Sequence, residues 1–250
     1  MNQLRHRDEF AAILQQYRVS ESVREVLRRL RLVLLSGPSA AGRNTIINEL
    51  LKSDEYVYIV SDTTRQPRVN DGVMETNGLE YWFRDEEQFL QELRHGDFLE
   101  AEIIHNQQVS GISLRELNRV SATGKIAISE VEIGGFENIL SLKPDTVGMF
   151  ILPPSFAAWM KRLQLRGSMP EAEVLNRLVT GMRIFRQAGR LQTAHVVIND
   201  QLDKVINTVD ALVHGQYQGG ETTAKNLAET LFKETAVYLR QHGFPGTLDS

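Results

Sequence analysis

The stretch LVLLSGPSAAGRNT, residues 32–45, decides the fold of this chain. It opens with an apolar run that leads into Gly37, a pattern typical of a buried parallel strand followed by a turn. Gly37 and Gly42 keep the glycine spacing of the phosphate-binding loop G-x-x-x-x-G-K-[ST], although Arg43 and Asn44 replace its Lys and Ser or Thr. In such a loop, backbone N–H groups turn towards phosphate oxygens, and the N-terminus of the next helix adds its positive end. The stretch therefore predicts a strand, a phosphate-binding loop and a helix.

Further short apolar runs alternate with helical patterns along the chain. They cover residues 56–60, 126–128, 147–152 and 195–198. Such alternation is typical of an α/β protein with a parallel sheet. We therefore predict a three-layer α/β fold of the P-loop NTPase type, with a parallel core sheet of about five strands. The more polar stretch from residue 61 to 113 indicates an inserted substrate-binding subdomain.

The N-terminal segment contains apolar residues at helical spacing. Residues 10–17 and 23–30 both follow the i, i+3, i+4, i+7 pattern, which predicts two short amphipathic helices. Ser22 and Glu25 have the spacing of a capping box at the start of the second helix. We therefore expect residues 1–30 to form an N-terminal helical extension.

The C-terminal segment is also predicted to be helical. A final helix is expected from about Thr222 to Gln241, after a linker at Gly219-Gly220 and before Gly243, Pro245 and Gly246. Residues 221–250 therefore form a second predicted extension. Because both terminal segments carry apolar faces, we expect them to pack on each other or to form a homodimer interface.

Composition narrows the class of protein. With 250 residues, 42% of them apolar and none of them cysteine, the chain can bury one core without disulfides, and it fits a reducing compartment. No apolar run approaches the roughly 20 residues of a membrane helix, and the N-terminus lacks a signal-sequence core. The net charge is −4, with basic residues spread along the chain. We therefore expect a cytoplasmic location and neither a nucleic-acid nor a membrane partner.

Two further motifs are more particular. Residues 61–68 read SDTTRQPR, and residues 78–83 read GLEYWF. With the loop at Gly37, they make the chain resemble guanylate kinases from about residue 32 to 212. The resemblance implies ATP and GMP as ligands, with Mg²⁺ accompanying ATP. It also implies a domain over residues 31–216 that holds a GMP-binding subdomain near 61–120 and a helical lid near 155–185.

The resemblance assigns the acceptor site to named residues. The phosphate clamp of the family falls on Ser61, Arg65, Arg68 and Tyr81, and two guanidinium forks with two hydroxyls suit a doubly charged phosphate. Glu100 corresponds to the residue that reads guanine, because a carboxylate can accept both the N1–H and the 2-amino donors.

One acceptor segment departs from the family pattern. Residues 106–113, NQQVSGIS, form a longer segment than the family's Asn-Tyr-Tyr-Gly and the small hydroxyl residue after it. A second phosphate-binding tyrosine is missing, and the base-contacting hydroxyl is either lost or moved to Ser113. Guanine selectivity is therefore less firmly predicted than phosphate binding.

Two acids follow the apolar run at residues 126–128. Glu130 and Glu132 fall at strand alternation, which would place both side chains on one face. The resemblance implies that Glu132 helps to bind guanine and that Glu130 lies near the phosphates, where it would support Mg²⁺ through water. Asn44 could add its amide oxygen as a weak ligand of the ion.

The remaining residues belong to the donor side. The resemblance places lid arginines at Arg162, Arg166 and Arg177, where with Arg43 they would neutralise charge on the phosphoryl group in flight. It also makes Asn199 the contact on the adenine side. The predicted ATP-binding set is Gly37, Ser39, Ala40, Ala41, Gly42, Arg43, Asn44, Thr45 and Asn199.

The altered loop leaves three functions open. An Arg at position 43 keeps the charge of the usual Lys but carries a larger planar head, and Asn44 lacks the hydroxyl that would hold Mg²⁺. We favour a slow ATP-dependent kinase that phosphorylates GMP. A catalytically weak or inactive module that binds a nucleotide or a protein is the main alternative, since some guanylate kinase-like scaffold domains have also lost the loop lysine. A kinase for another small phosphate ester is the third.

Overall fold

A computed structural model of the chain describes residues 4–70, 72–104, 106–165, 169–217 and 219–244. Within these residues lie ten helices: α1 (Arg7–Gln15), α2 (Glu21–Arg29), α3 (Arg43–Leu50), α4 (Glu86–Arg94), α5 (Leu114–Ser121), α6 (Ile133–Leu142), α7 (Phe156–Gln164), α8 (Glu171–Arg190), α9 (Leu202–Val213) and α10 (Glu221–Gln241). None of these helices combines the length and the apolar character that crossing a bilayer requires.

The same residues contain eleven strands. They are β1 (Arg31–Ser36), β2 (Tyr56–Tyr58), β3 (Asp62–Thr63), β4 (Val69–Asn70), β5 (Val73–Met74), β6 (Trp82–Phe83), β7 (Phe98–Ile104), β8 (Gln108–Ser113), β9 (Ile126–Glu130), β10 (Val147–Leu152) and β11 (His195–Ile198).

Five of the strands form a parallel sheet in the order β11-β10-β1-β9-β2. In its register, Leu35 lies opposite Met149, Phe150 opposite Val196, and Tyr58 opposite Ile128. The four apolar runs predicted as strands form β2, β9, β10 and β11. Parallel neighbours need crossover connections, which the intervening helices supply. The predicted α/β fold with a parallel five-stranded sheet is confirmed.

The chain divides into two compact units, and the second holds the loop at Gly37. Unit 2 comprises residues 33–53, 130–136 and 147–250. Strands β1 and β10 lie in its core, with Leu34 and Phe150 completely buried. The C-terminal helix α10 packs along α8 and also contacts α7, where the rings of Tyr238 and Phe156 lie 5.5 Å apart.

Unit 1 comprises residues 1–32, 54–129 and 137–146. It contains a four-stranded sheet in the order β6-β3-β8-β7 and the small hairpin β4-β5. Helices α1 and α4 pack beside this sheet around an apolar cluster in which the rings of Phe89 and Phe98 stack 4.2 Å apart. The buried members of the cluster are Leu4, Phe10, Phe89, Leu90, Leu93, Phe98 and Val109.

The two predicted N-terminal helices are present, but the second is capped by a different serine. Ser20 has an extended backbone conformation, and its hydroxyl accepts a hydrogen bond from the Val23 N–H at 3.3 Å. Ser22 already lies within α2, so the capping box predicted at Ser22 and Glu25 is wrong. An N-cap residue needs extended backbone angles, and these occur at the residue that precedes the helix.

The terminal segments bury their apolar faces within the units that hold them. Helix α1 packs on β7 and α4, α2 packs on α5, and α10 packs on α8 and β11. The expected packing of the two terminal segments on each other stays a prediction, as does the homodimer interface.

Candidate active site

The loop between β1 and α3 has backbone conformations that most side chains rarely adopt. Gly42 caps α3 with φ 97°, and Ala40 also has a positive φ, 65°. A Cβ atom at Gly37 would lie 2.5 Å from the Ile151 carbonyl oxygen, and one at Gly42 would lie 2.2 Å from the side-chain nitrogen of Asn199. Both glycines of the predicted loop are therefore required by its shape.

Side chains from other elements of unit 2 hold this loop. The indole N–H of Trp159 donates to the Ser39 carbonyl at 2.7 Å, and the Asn199 amide donates to the Ala41 carbonyl at 2.7 Å. In a trans peptide the C=O and the next N–H point in opposite directions. These two bonds therefore turn the N–H groups of Ala40 and Gly42 away from the bracing side chains, as a phosphate cradle requires.

The Trp159 brace was not predicted from the sequence. Its indole is completely buried, lies edge-on to Phe185 at 5.1 Å, and packs so closely on α8 that a Cβ atom at Gly181 would come within 2.3 Å of it. The signal that could have found it is the spacing of Trp159 and Leu163, which places both on the buried face of α7. The hydrogen bond from Trp159 to the Ser39 carbonyl depends on tertiary packing, so no local sequence pattern predicts it.

Both unusual loop residues contact Glu130 at the end of β9. The Nε atom of Arg43 lies 3.3 Å from the Glu130 carboxylate. With its amide nitrogen facing Glu130, Asn44 donates to the two carboxylate oxygens at 3.2 and 2.8 Å. A guanidinium and an amide thus surround this carboxylate, which makes it poorly suited to coordinate Mg²⁺ directly. The predicted support of Mg²⁺ by Glu130 through water and the weak Asn44 ligand stay predictions.

Glu132 differs from its predicted position. Strand β9 ends at Glu130, and α6 begins at Ile133, so Glu132 lies in the connection between them. Its side chain is exposed, and its carbonyl accepts the hydrogen bond of the Phe136 N–H at 2.9 Å. The alternation argument for one common face is wrong because the strand ends before Glu132. Its contact with guanine stays a prediction.

Two predicted lid arginines contact residues of the loop or its brace. Arg162 donates to the Asn199 carbonyl at 2.8 Å, and Arg177 donates to the Ser39 hydroxyl at 2.8 Å while it pairs with Glu173. Arg166 lies outside the described residues. Asn199 is itself buried, and its predicted contact with adenine stays a prediction. The Thr45 side chain is exposed on the first turn of α3.

The strand register of unit 1 defines one face of its sheet, next to several of the predicted acceptor residues. Thr63 pairs with Phe83 and with Ser110, and the Ser110 hydroxyl donates to the Thr63 hydroxyl at 2.9 Å. Cross-strand partners share a face, and side chains alternate along a strand. Ser61 and Tyr81 directly precede β3 and β6, and the Trp82 N–H donates to the Ser61 carbonyl at 2.9 Å. We call the sheet surface that carries Thr63, Phe83 and Ser110 the acceptor face.

Glu100 belongs to the acceptor face as well. It pairs with Ile112, which lies two residues after Ser110 on β8 and therefore on the same side of the sheet. The Arg65 guanidinium lies over the ring of Tyr81 at 4.7 Å and over that of Phe83 at 5.5 Å. The structure thus places Arg65 against Tyr81, with Glu100 on the same face of the sheet.

Arg65 is oriented by a carboxylate that the sequence did not single out. Its two terminal nitrogens donate to the two oxygens of Glu75 at 2.5 and 2.8 Å. This hydrogen-bonded pairing is the largest cause that raises the pKa of Arg65. Glu75 also accepts the Arg68 N–H at 2.8 Å, so one carboxylate fixes both the arginine and its loop. The Arg68 side chain is exposed and lines a cleft of about 440 Å³ with Arg5, Arg65 and Arg84.

Ser113 does not take the role of a base-contacting hydroxyl. It is 1% exposed, and its hydroxyl donates to the Asp62 carboxylate at 2.6 Å. It also caps α5 by accepting from the Glu116 N–H. Since Ser113 and Ile112 are neighbours on β8, Ser113 lies opposite the acceptor face. The predicted move of the hydroxyl to Ser113 is wrong.

Two completely buried carboxylates hold hydrogen-bond partners together within unit 1. Asp62 accepts hydrogen bonds from Arg84 and Arg115 at 2.7 Å each. Glu116 accepts bonds from Arg119, the Trp82 indole and the Val60 N–H. Paired buried acids of this kind specify local geometry, because each partner would be costly to leave unpaired. The sequence shows them as ordinary acids in a polar stretch.

The strand, the glycine-shaped loop and the helix that follows, set in a parallel five-stranded sheet, define a P-loop protein. The guanylate kinase family model matches residues 29–216. This chain belongs to the guanylate kinase family.

Individual relatives agree with this assignment. A guanylate kinase of Corynebacterium diphtheriae is 33% identical over 188 residues, which cover 74% of this chain and 95% of the relative. A guanylate kinase of Methylobacillus flagellatus is 32% identical, with 74% and 89% covered. A crystal structure of guanylate kinase from Anaplasma phagocytophilum matches the fold with a TM-score of 0.55 at 22% identity, covering 76% of this chain and 87% of that one.

Proposed function

We propose that this protein transfers the γ-phosphate of ATP to GMP, forming ADP and GDP, at a rate lowered by Arg43 and Asn44. The observation that carries the proposal is the acceptor face, where the Arg65 guanidinium lies over the Tyr81 ring and Glu100 is on the same side of the sheet. Membership of the guanylate kinase family and the names of the relatives support the same reaction.

The acceptor chemistry follows from the donors and acceptors on this face. Arg65 has five N–H donors in a planar fork, and the pairing with Glu75 sets the direction of those that remain for the phosphate of GMP. Glu100 offers carboxylate oxygens to the N1–H and 2-amino group of guanine, a donor pair that adenine lacks. Arg68 and Tyr81 add further donors to the phosphate. The face therefore suits a purine nucleotide with one phosphate and donor groups on its base.

Transfer itself needs the two phosphates in line. A phosphate oxygen of GMP attacks the γ-phosphorus of ATP while the bond to the β,γ-bridging oxygen breaks, and ADP leaves with that oxygen. The loop N–H groups hold the donor phosphates, and Arg162, Arg166 and Arg177 neutralise the charge on the group in transit. Mg²⁺ enters with ATP as part of the substrate MgATP. Arg43 contributes only after it has exchanged Glu130 for a phosphate.

A coupled assay of ADP formation tests the proposal. It compares the wild type with Arg43→Lys/Asn44→Ser, which restores the usual loop, and with Arg65→Ala, which removes the acceptor clamp. We expect GMP-dependent ADP formation by the wild type, a rise of about tenfold in the restored variant, and none above background in Arg65→Ala. Asn48→Ser, an exposed change on the same helix as Asn44, serves as the matched control and should leave the rate unchanged.

The same assay decides between the proposed kinase and its alternatives. The contacts of Glu130 with Arg43 and Asn44 favour one alternative, a module that binds nucleotide without transferring phosphate. That function is indicated if calorimetry detects GMP binding while neither the wild type nor the restored variant forms ADP. A wild type that uses another phosphate ester in preference to GMP would instead indicate a kinase of different acceptor specificity. A restored variant slower than the wild type would mean that Arg43 is a working phosphate ligand.

A further inference from the structure

Residues that precede the family match fold onto the strand that carries Glu100. The match begins at residue 29, whereas Tyr17 lies in the connection between α1 and α2. The Tyr17 hydroxyl donates to the Phe98 carbonyl at 2.7 Å and accepts from the Phe98 N–H at 2.8 Å. Strand β7 is at the edge of the four-stranded sheet. Tyr17 therefore satisfies the outward-facing backbone groups of Phe98, as a neighbouring strand otherwise would.

The chain next to Phe98 contains a bulge that turns Glu100 to the acceptor face. Phe98 pairs with Ser113 and Glu100 with Ile112, so two steps along β7 match one step along β8, and Leu99 is the extra residue. Since Ser113 and Ile112 point to opposite sides of the sheet, Phe98 and Glu100 do as well. Bulges re-aim side chains in this way.

Without the bulge, Glu100 would lie on the same side as Phe98. That side holds the apolar cluster in which Phe98 stacks on Phe89 at 4.2 Å, and a carboxylate there would lose its hydration without gaining a partner of opposite charge. With the bulge, Ala101 and Ile103 pack against this cluster, whereas Glu100 faces the opposite side. The position of the bulge therefore decides whether Glu100 can read a base.

The hydroxyl of Tyr17 is well suited to hold this position. It binds both polar groups of the residue immediately before the extra one, which fixes the orientation of that part of the backbone. Burial raises the pKa of Tyr17, and the nearby Asp97 and Glu100 carboxylates raise it further. The hydroxyl therefore keeps its proton, and its ability to donate to the Phe98 carbonyl, throughout the physiological pH range.

We propose that Tyr17 is a positioning residue for guanine selectivity: it holds the bulge at Leu99 and thereby keeps the Glu100 carboxylate on the acceptor face. The proposal rests on the proposed function, in which Glu100 reads the base. It gives the N-terminal extension a role in the choice of substrate, although no residue of the extension need touch the nucleotide.

Calorimetric titration of the full chain with GMP and with AMP tests this role. Tyr17→Phe removes the hydroxyl but keeps the ring that packs against the apolar cluster. We expect this variant to bind GMP about tenfold more weakly and AMP unchanged, so that selectivity falls by about tenfold. Tyr238→Phe on α10 is the matched control and should bind both nucleotides like the wild type. Circular dichroism and a thermal melt confirm that both variants are folded at the temperature of the titration.

A double-mutant cycle with Glu100→Gln separates positioning from a general loss of structure. If Tyr17 acts through Glu100, Tyr17→Phe has no further effect on GMP affinity once Glu100→Gln is present. Additive losses, or a Tyr17→Phe variant with the selectivity of the wild type, would overturn the positioning role. A wild type that binds GMP and AMP equally, with Glu100→Gln silent, would overturn the base-reading function of Glu100 and the role of Tyr17 with it.

Discussion

Two arginine–carboxylate pairs, one in each unit, differ in geometry and in burial. Arg65 gives Glu75 a bidentate pair at 2.5 and 2.8 Å, and the two side chains are 11% and 6% exposed. Arg43 approaches Glu130 through Nε at 3.3 Å, and these side chains are 16% and 27% exposed. A bidentate fork fixes distance and orientation together, whereas a longer contact to one nitrogen fixes neither.

The surroundings of the two pairs reinforce the difference. Glu75 also binds the Arg68 N–H, and Arg65 is stacked on two aromatic rings, so separating this pair would disturb the whole acceptor loop. Glu130 is approached by Arg43 and by the exposed Asn44, which both belong to the phosphate-binding loop. The acceptor arginine is thus built into the fold, while the loop arginine has a counter-ion that a phosphate can replace.

The largest expected effect comes from breaking the firm pair. Glu75→Ala leaves the Arg65 guanidinium nearly buried without its carboxylate, and removing one partner of such a pair costs about 3 kcal/mol or more. Urea denaturation should therefore show a loss of about 3 kcal/mol in the free energy of unfolding, together with a weaker affinity for GMP. Glu229→Ala, which breaks the exposed 3.2 Å pair with Lys233, is the control and should cost less than about 1 kcal/mol. If both variants lose the same free energy of unfolding, the Arg65–Glu75 pair is no more important for the fold than an exposed ion pair.

Breaking the loose pair should instead strengthen nucleotide binding. Glu130→Gln removes the negative charge that holds Arg43 and that repels phosphates, so we expect ATP affinity to rise by about three- to tenfold. Fluorescence titration with ATP measures the change. Glu132→Gln, an exposed acid two residues away, should alter affinity less than about twofold.

Combination with Arg43→Met isolates the cause of the gain. If Glu130 competes with phosphate for Arg43, most of the gain from Glu130→Gln disappears in the Arg43→Met background. An undiminished gain would indicate general electrostatic repulsion by Glu130. A loss of ATP affinity in Glu130→Gln would show that the carboxylate helps to bind the nucleotide, as its predicted support of Mg²⁺ implies.

Local patterns explain what the sequence predicts correctly. The strand, the two glycines and the helix are close in sequence, within residues 32–50. Each glycine is required because a Cβ atom there would clash with a neighbouring atom. The apolar runs that form β2, β9, β10 and β11 are likewise readable, because strands buried on both faces need continuous apolar residues. The clamp residues followed from the family resemblance, and the structure places one of them, Arg65, against another, Tyr81.

The missed features depend on where elements end or on distant partners. Alternation placed Glu132 beside Glu130, but β9 ends at Glu130, two residues too early for that argument. The hairpin β4-β5 brings Glu75 back to Arg65, ten residues away, and nothing in the sequence of this polar segment distinguishes Glu75 from its other acids. Trp159 reaches Ser39 across 120 residues. Such contacts follow from tertiary packing and have no local pattern.

The smallest expected effect is that of Asn44→Ala. It tests whether Asn44 serves as a hydrogen-bond partner of Glu130 or as a ligand of the metal. Its side chain is exposed, so Asn44→Ala should change the free energy of unfolding by less than about 0.5 kcal/mol. Because its amide nitrogen is engaged with Glu130, we expect the affinities for MgATP and for Mg²⁺-free ATP to change by the same factor, about twofold or less.

The comparison of the two ATP forms makes this last prediction sharp. A residue that binds Mg²⁺ contributes to the affinity for MgATP and contributes nothing to that for ATP without the metal, so its removal must change the ratio of the two. Asn48→Ala, on the exposed side of the same helix, provides the baseline for an amide that contacts neither partner. If Asn44→Ala weakens MgATP binding tenfold and leaves Mg²⁺-free binding intact, Asn44 is a metal ligand in the loaded loop, and its contact with Glu130 belongs to the nucleotide-free state alone.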